Sequence, residues 1–376
     1  MQHQRATRRA VLKSIAGGAT GLFAVSSRAR GLRAQSAPAL KFGRVPVNAI
    51  VSNYIGPVDF FRDEGVPIEP VRVDNPGQLF QAMTAGDLAD GEIGLGPSLI
   101  AVTRGLPLLS LFLGAFSTPD HPYERIMVLP NSPIKTLDDL KGKKLGFQGS
   151  GSVPDLLLGA LPYKSKISKE DISLVQLPPP GQPDALGQGL VDAIFSTPPV
   201  DTVAELKYGA RTLIDATELV PYSGLGALVV RRDFAEQRPD TVKKLLTAAI
   251  RFSRWIDDNS AAARSAMGKN LGLPEDIAAH SRLPLLARNG LPVMPNVWHV
   301  YQMLIAAKTI DPYPDPEKLF NDAVVEPVKR FTLPAVDALG MEPNLEIDKM
   351  LTGEYPLLPK PVASYYADWE RRLLKL

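Results

Sequence analysis

The stretch from Arg125 to Ala160 constrains this chain most. An apolar run, Ile126-Met127-Val128-Leu129, is closed by Pro130. After a polar connector, Asn131 to Lys141, a second run, Lys144-Leu145-Gly146-Phe147, leads into Gly149-Ser150-Gly151-Ser152. Short apolar runs bounded by Gly and Pro read as buried strands, and a Gly/Ser cluster ahead of the apolar segment Val153 to Leu161 reads as a strand-to-helix turn. Ser150 or Ser152 is placed to cap that helix, and Pro154 suits its first turn. Such a turn offers backbone N–H groups and the positive end of a helix dipole. It is therefore suited to an anionic or strongly polar small molecule without help from a basic side chain.

At 376 residues the chain exceeds what one core usually serves, so two domains are expected. Its formal charge of +2 misleads. Residues 1–34 hold seven basic side chains (Arg5, Arg8, Arg9, Lys13, Arg28, Arg30, Arg33) and no acidic one, which leaves 42 less 7, or 35, basic against 40 acidic residues elsewhere. That remainder, at −5, gives no basic surplus for nucleic acid. Residues 1–34 read as an export signal: Thr7-Arg8-Arg9-Ala10-Val11-Leu12-Lys13 resembles the twin-arginine pattern and precedes a weakly hydrophobic run from Ser14 to Val25. Cleavage is expected near Ala34 or Ser36. An ordinary secretory signal and an uncleaved anchor are the alternatives, and all three place the protein outside the cytoplasm. With no cysteine there is neither a disulfide nor a thiol for a lipid anchor, so a freely diffusing periplasmic protein is expected. The longest later apolar run, Leu106 to Phe116, is interrupted by Pro107 and Gly114 and is too short to span a bilayer.

From Lys41 onward, strands and helices alternate. Val45, Val47 and Ala49-Ile50-Val51 suggest a first strand; Ser52 to Pro57 a loop; Val58 to Arg62 helical turns; Ile68 to Val73 a second strand. Asn75-Pro76-Gly77 opens a helix through Met83. Glu92 to Leu95 is a short strand, Gly96-Pro97-Ser98 a turn, Leu99 to Thr103 a helix and Leu106 to Leu113 a buried strand. Further on, Ile172 to Leu177, Ala193 to Phe195 and Arg211 to Ile214 read as strands. Pro183 to Leu190 and Val200 to Tyr208 read as helices. This rhythm implies a mostly parallel sheet covered on both faces. Val242, Leu245, Leu246, Ala249, Ile250 and Ile256 recur at helical spacing behind Pro239-Asp240, with Trp255 expected in the core. Leu283 to Asn296 reads as a loop, and Val297 to Ile310 and Val362 to Leu374 as helices.

Five pieces in order carry a resemblance: Tyr54 to Gly65; Gly94 to Gly105; Ile134 to Lys144, which contains Asp138-Asp139-Leu140-Lys141-Gly142-Lys143; Val191-Asp192-Ala193 with Pro198; and Val229 to Phe234 with Pro239. Together they resemble the nitrate/sulfonate/taurine branch of periplasmic solute-binding proteins, related to thiamine-pyrimidine proteins, over roughly Phe42 to Asn259. The resemblance implies an α/β, type II periplasmic binding protein fold, with two doubly wound lobes joined by a hinge of two chain crossings and followed by C-terminal helices. On that plan residues 1–34 are the signal, 40–126 the first part of lobe 1, 127–228 lobe 2, and 229–270 the second part of lobe 1. Residues 271–376 form a C-terminal helical extension packed on lobe 1, with a dimer contact left open. The crossings fall near Arg125 to Leu129 and Ala227 to Val230.

Open α/β sheets bind ligands at the carboxyl ends of strands. The candidate ligand-binding residues there are Ser52, Asn53, Tyr54, Gly96, Pro97, Ser98, Ser117, Arg125, Gly149, Ser150, Gly151, Ser152, Thr197 and Tyr222. Tyr54 and Tyr222 suit a planar ligand or, alternatively, the core. Arg125 is the one cation near the expected cleft, with an ion pair to Glu124 or Asp120 as the alternative. The four histidines, His3, His121, His280 and His299, are scattered, so no metal is expected. No dinucleotide fingerprint, phosphate-binding loop or nucleophile elbow is present, so no cofactor and no enzyme activity are expected. The resemblance implies a binding protein, expected as a monomer, that hands a small organic or anionic ligand to an ABC permease in the inner membrane. A binding protein for a signalling receptor is one alternative. A thiamine-pyrimidine-synthesis-like enzyme is the other, although the fungal enzymes of that kind depend on a cysteine-rich iron motif that this chain lacks.

Overall fold

Two five-stranded mixed sheets organise the computed structural model, which describes residues 38–343 other than 48, 221 and 225. The expected signal and the helix at Val362 to Leu374 lie outside the described residues, and those described belong to one compact unit.

The chain begins with β1 (Leu40–Arg44), α1 (Phe60–Asp63), β2 (Ile68–Arg72), α2 (Pro76–Ala85), β3 (Asp90–Ile93), α3 (Leu95–Thr103), β4 (Leu108–Leu113) and β5 (Ala115–Ser117). It then runs through β6 (Arg125–Val128), β7 (Lys144–Phe147), α4 (Val153–Leu158), β8 (Ser173–Gln176), α5 (Gln182–Gly187), β9 (Ala193–Ser196), α6 (Val200–Tyr208), β10 (Arg211–Asp215) and α7 (Ala216–Leu219). It returns as β11 (Ser223–Gly224), β12 (Ala227–Arg231) and α8 (Arg232–Gln237). The C-terminal third supplies α9 (Pro239–Asp258), α10 (Ser260–Leu271), α11 (Glu275–His280), β13 (Leu285–Leu286), α12 (Met294–Ala306), α13 (Pro316–Phe320) and α14 (Leu333–Leu339).

The first sheet has the order β2-β1-β3-β12-β4, with β1 parallel to β2 and β3, and β12 antiparallel to both its neighbours. The second is β10-β6-β9-β7-β8, with β7 parallel to β8 and β9, and β6 antiparallel to β9 and β10. Sheet membership therefore changes between β5 and β6 and again between β10 and β12. There the two chain segments lie side by side: Ser223 and Gly224 pair with Ser117 and Phe116, and β13 completes a three-stranded antiparallel ribbon.

Local chemistry explains most element ends. The Asn75 side chain accepts from Gln78 N–H at the start of α2, and Gly86, at φ 85°, closes that helix in a left-handed conformation. The Ser152 hydroxyl caps α4, with Pro154 in the first turn. Helix α9 buries Val242, Leu245, Leu246, Ala249, Ile250 and Ile256, and Trp255 packs half-buried against the same core.

Four readings need correction. The sheets are mixed rather than mostly parallel, because β6 and β12 each run antiparallel to both neighbours. The first strand is Leu40–Arg44, not Val45 to Val51. The main-chain oxygens of Val45 and Val47 accept from the Asn53 side-chain amide at 3.1 and 2.7 Å, so this segment leaves the ladder. Gly96-Pro97-Ser98 is the first turn of α3 rather than a turn before it, a place where the missing Pro97 N–H costs nothing. Leu283 to Asn296 holds β13 and the start of α12 rather than a plain loop. The extension also reaches beyond the first sheet: α12 packs on α3 and on α4, and α11 packs on α6.

Candidate functional site

The two sheets meet along a line where α3, from the first, packs on α4, from the second. At Gly96 an added Cβ would lie 1.9 Å from Leu156 Cδ1, so the absent side chain lets the two helices approach. Beside this contact is a central cavity of about 40 Å³, walled by Ile50, Gly94 and Pro97 from the first half, Ser152 and Thr197 from the second, and Tyr123 and Glu124 from the crossing between them. At about 10–15 Å³ for each water, it holds roughly three waters, the size of an oxyanion headgroup. No lysine, arginine or histidine lines it among the described residues.

A larger cleft of about 680 Å³ lies alongside. Arg44, Pro46 and Asn53 face this cleft, while Val45, Val47, Ala49 and Ile50 of the same segment face the central cavity. Its other walls mix apolar side chains, from Pro183, Val200, Val203 and Leu206 across to Leu273 and Ile277 of the C-terminal third, with the charged Arg72, Asp184, Lys207 and Asp276. That volume is in the range of small-molecule sites.

Glu124 is the ionisable side chain that distinguishes the central cavity. It is 1% exposed, and its Oε2 has no hydrogen-bond partner among the described residues. Burial pushes its carboxyl up to about 8, against hydrogen bonds from its own main-chain N–H and the Ser117 hydroxyl and the field of Arg282. Tyr123, beside it, is buried and pushed well above the usual phenol range by desolvation.

Several expected ligand groups are committed elsewhere. The Glu92 carboxylate accepts from Val51 N–H at 3.0 Å, Ser52 N–H at 3.0 Å and the Ser52 hydroxyl at 2.7 Å, so an internal carboxylate already holds this turn. The Asn53 side-chain N–H groups are occupied with the Val45 and Val47 carbonyls, while its buried Oδ1 has no hydrogen-bond partner among the described residues, and Tyr54 is fully buried in the core. The Ser98 hydroxyl donates to Leu95 O and lies 3.3 Å from that of Ser110. Ser117 accepts from Tyr123 N–H at 3.0 Å while bonding Glu124. Tyr222 is half-buried against the core, and its main chain bonds His299.

The turn at 149–152 is also internally satisfied. Gly151 N–H donates to Asp155 Oδ2 at 2.7 Å, and Asp155 in turn pairs with Lys169. A resident carboxylate thus takes the place foreseen for a ligand anion. Gly149 is held at φ 133° against Gln176, and Ser150 and Gly151 face a separate hollow shared with Arg104 and Lys308. Arg125 pairs with Glu205 at 2.5 Å, Asp201 at 3.5 Å and Asp215 at 3.8 Å, none of them the partner foreseen. Of the fourteen candidates, Pro97, Ser152 and Thr197 face the central cavity. Glu124, Tyr123 and the 45–50 segment were missed. A Glu beside an Arg reads as an ion pair, and nothing local shows that the crossing turns the two side chains apart.

Comparison with known proteins gives the same outline. The family model described as NMT1/THI5 like matches residues 57–259. A putative aliphatic sulfonates-binding protein of Escherichia coli (strain K12) is 30% identical over 202 residues, 54% of this chain and 61% of that protein. The chain thus spans about three fifths of that relative's length. A 2'-hydroxybiphenyl-2-sulfinate desulfinase of Rhodococcus erythropolis is 28% identical over 209 residues, 54% of each chain. The crystal structure of the periplasmic aliphatic sulphonate binding protein SsuA from Escherichia coli superposes with a TM-score of 0.57 at 25% identity, covering 79% of this chain and 92% of that one. With just over half of its length matched by the family model, and with the fold of the periplasmic binding proteins, the chain belongs to the NMT1/THI5-like family.

Proposed function

We propose that this protein is an extracytoplasmic solute-binding protein. It takes a small organic or anionic ligand between its two halves and delivers it to an ABC-type permease. The observation that carries this reading is the central cavity, to which both halves and the crossing contribute walls. Similarity to a sulfonates-binding protein supports a ligand with an oxyanion headgroup. The cleft alongside, with apolar stretches at Val200, Val203, Leu206 and Ile277, suits the ligand's organic part. Two crossings allow closure with few dihedral changes, so occupancy becomes a shape that a membrane partner reads. On this reading the lobes meet at the crossings, the protein is a periplasmic monomer without a lipid anchor, and residues 1–34 are a twin-arginine signal.

A thermal-shift screen of the purified chain against alkanesulfonates, nitrate, aromatic acids, pyrimidines and amines tests the reading, because a ligand that binds only the folded state raises its melting temperature. A saturable rise with one class supports it; no rise with any class overturns it. Similarity to a desulfinase favours a second reading, an enzyme acting on an aromatic sulfinate. Turnover of 2'-hydroxybiphenyl-2-sulfinate by the purified protein would establish that one.

A further inference from the structure

We infer that Glu124 is the specificity-determining group of the central cavity, presenting a protonated carboxyl whose Oε2–H donates a hydrogen bond to a sulfonate, nitrate or carboxylate oxygen of the bound solute. The inference rests on the solute-binding reading and assigns how the site recognises an oxyanion without a cation.

The geometry supplies the argument. Glu124 lines the cavity, is 1% exposed, and has an Oε2 without a hydrogen-bond partner among the described residues. The Ser117 hydroxyl and the Glu124 main-chain N–H therefore reach the other oxygen, and the proton belongs on Oε2. An ionised carboxylate here would leave a buried oxygen without a donor, which is costly. The surrounding charges do not remove that cost. Arg282, whose field reaches Glu124, is bound to Asp201 and to the Pro122 and Tyr123 carbonyls. Arg125, next on the strand, is held by Asp201, Glu205 and Asp215. Tyr123 is pushed upward and stays neutral. Burial carries the Glu124 carboxyl to about 8, so it is mostly protonated at pH 7.

An acid of this kind suits an oxyanion, which accepts from O–H and is repelled by a carboxylate. The start of α3, a nine-residue helix with Gly94 as its cap and no side-chain cap bond, adds its positive end to the same cavity. The Thr197 and Ser152 hydroxyls and the Gln148 side chain add to the polar wall. The neutral acid also discriminates: an ammonium group would meet a donor and the positive helix end, so amine-first insertion is disfavoured.

The test is calorimetric titration of the full chain with ethanesulfonate and with nitrate, whose charges stay constant from pH 6 to 9.5. Native protein is expected to bind equally at pH 6 and 7 and to lose about tenfold in affinity per unit well above pH 8, as the donor proton leaves. Glu124→Gln keeps an N–H donor and is expected to bind within about threefold of native at pH 7, with no loss up to pH 9.5. Glu124→Ala is expected to lose more than tenfold. Native affinity that is flat or rising with pH overturns the inference while leaving solute binding intact; native pH behaviour alone decides this if the alanine variant does not fold. Absence of ethanesulfonate and nitrate binding at every pH also overturns it, and solute binding then stands or falls on the wider thermal-shift screen.

Discussion

Arg282 Nη2 lies 2.6 Å from Asp201 Oδ2, and this pair ties the C-terminal third of the chain to α6 of the second sheet. Asp201 is fully buried, and Arg282 also donates to the Pro122 and Tyr123 carbonyls on the crossing. The contact therefore spans three parts of the fold. Removing one member leaves a buried charge with fewer partners, although Arg125 remains 3.5 Å from Asp201. Arg282→Ala is expected to cost about 2–4 kcal/mol, read as a lower urea midpoint with an unchanged slope. A midpoint within error of native would show that Arg125 alone holds Asp201.

Asp90 makes stability depend on pH. It is fully buried in β3, neither carboxyl oxygen has a hydrogen-bond partner among the described residues, and burial reinforced by Glu92 pushes it up to about 8. The folded state keeps this proton while the unfolded chain, at about 3.9, has lost it. Sign and window follow: the contribution is neutral below about pH 4, and stability falls as pH rises towards 8. Asp90→Asn mimics the protonated form and removes the loss. The variant is expected to match native protein below about pH 4 and to exceed it at pH 8 by an amount on the order of several kcal/mol. Parallel denaturation curves at every pH would show that Asp90 does not titrate on folding.

Gly96 and Leu156 define the approach of the two halves. A methyl group at residue 96 meets Leu156 Cδ1 at 1.9 Å, inside any real contact, so either the Leu156 side chain or the α3–α4 interface must shift. Gly96→Ala is expected to cost about 1–3 kcal/mol in melting experiments. Gly96→Ala/Leu156→Ala should recover part of the loss, giving a coupling energy above about 0.5 kcal/mol in a double-mutant cycle. Strict additivity would mean that the two helices do not press on each other at these residues.

The alternation of elements was legible in the sequence because its signals are local. Ser152 and Pro154 mark the start of α4. Asn75 marks that of α2, and the apolar spacing of α9 marks its buried face. The candidate site was legible only as a neighbourhood. Its turns were identified, but three of the fourteen side chains named there face the central cavity. Asn53 faces the larger cleft and Ser150 a separate hollow, while several others are used by the fold: Glu92 holds Ser52 from 40 positions away, Asp155 holds Gly151, and Arg125 finds acids at Asp201, Glu205 and Asp215.

Periodicity, capping residues and breakers act within a few positions of chain, so sequence alone determined most of the strand–helix order, the starts of α2, α4 and α9, and the family resemblance. Tertiary structure decided which N–H groups were already taken, that the extension packs on helices of both halves, and that Glu124 rather than Arg125 faces the cavity. Those outcomes depend on sheet register and on burial, which bring together groups tens of residues apart and set the charge state of a carboxyl by what surrounds it.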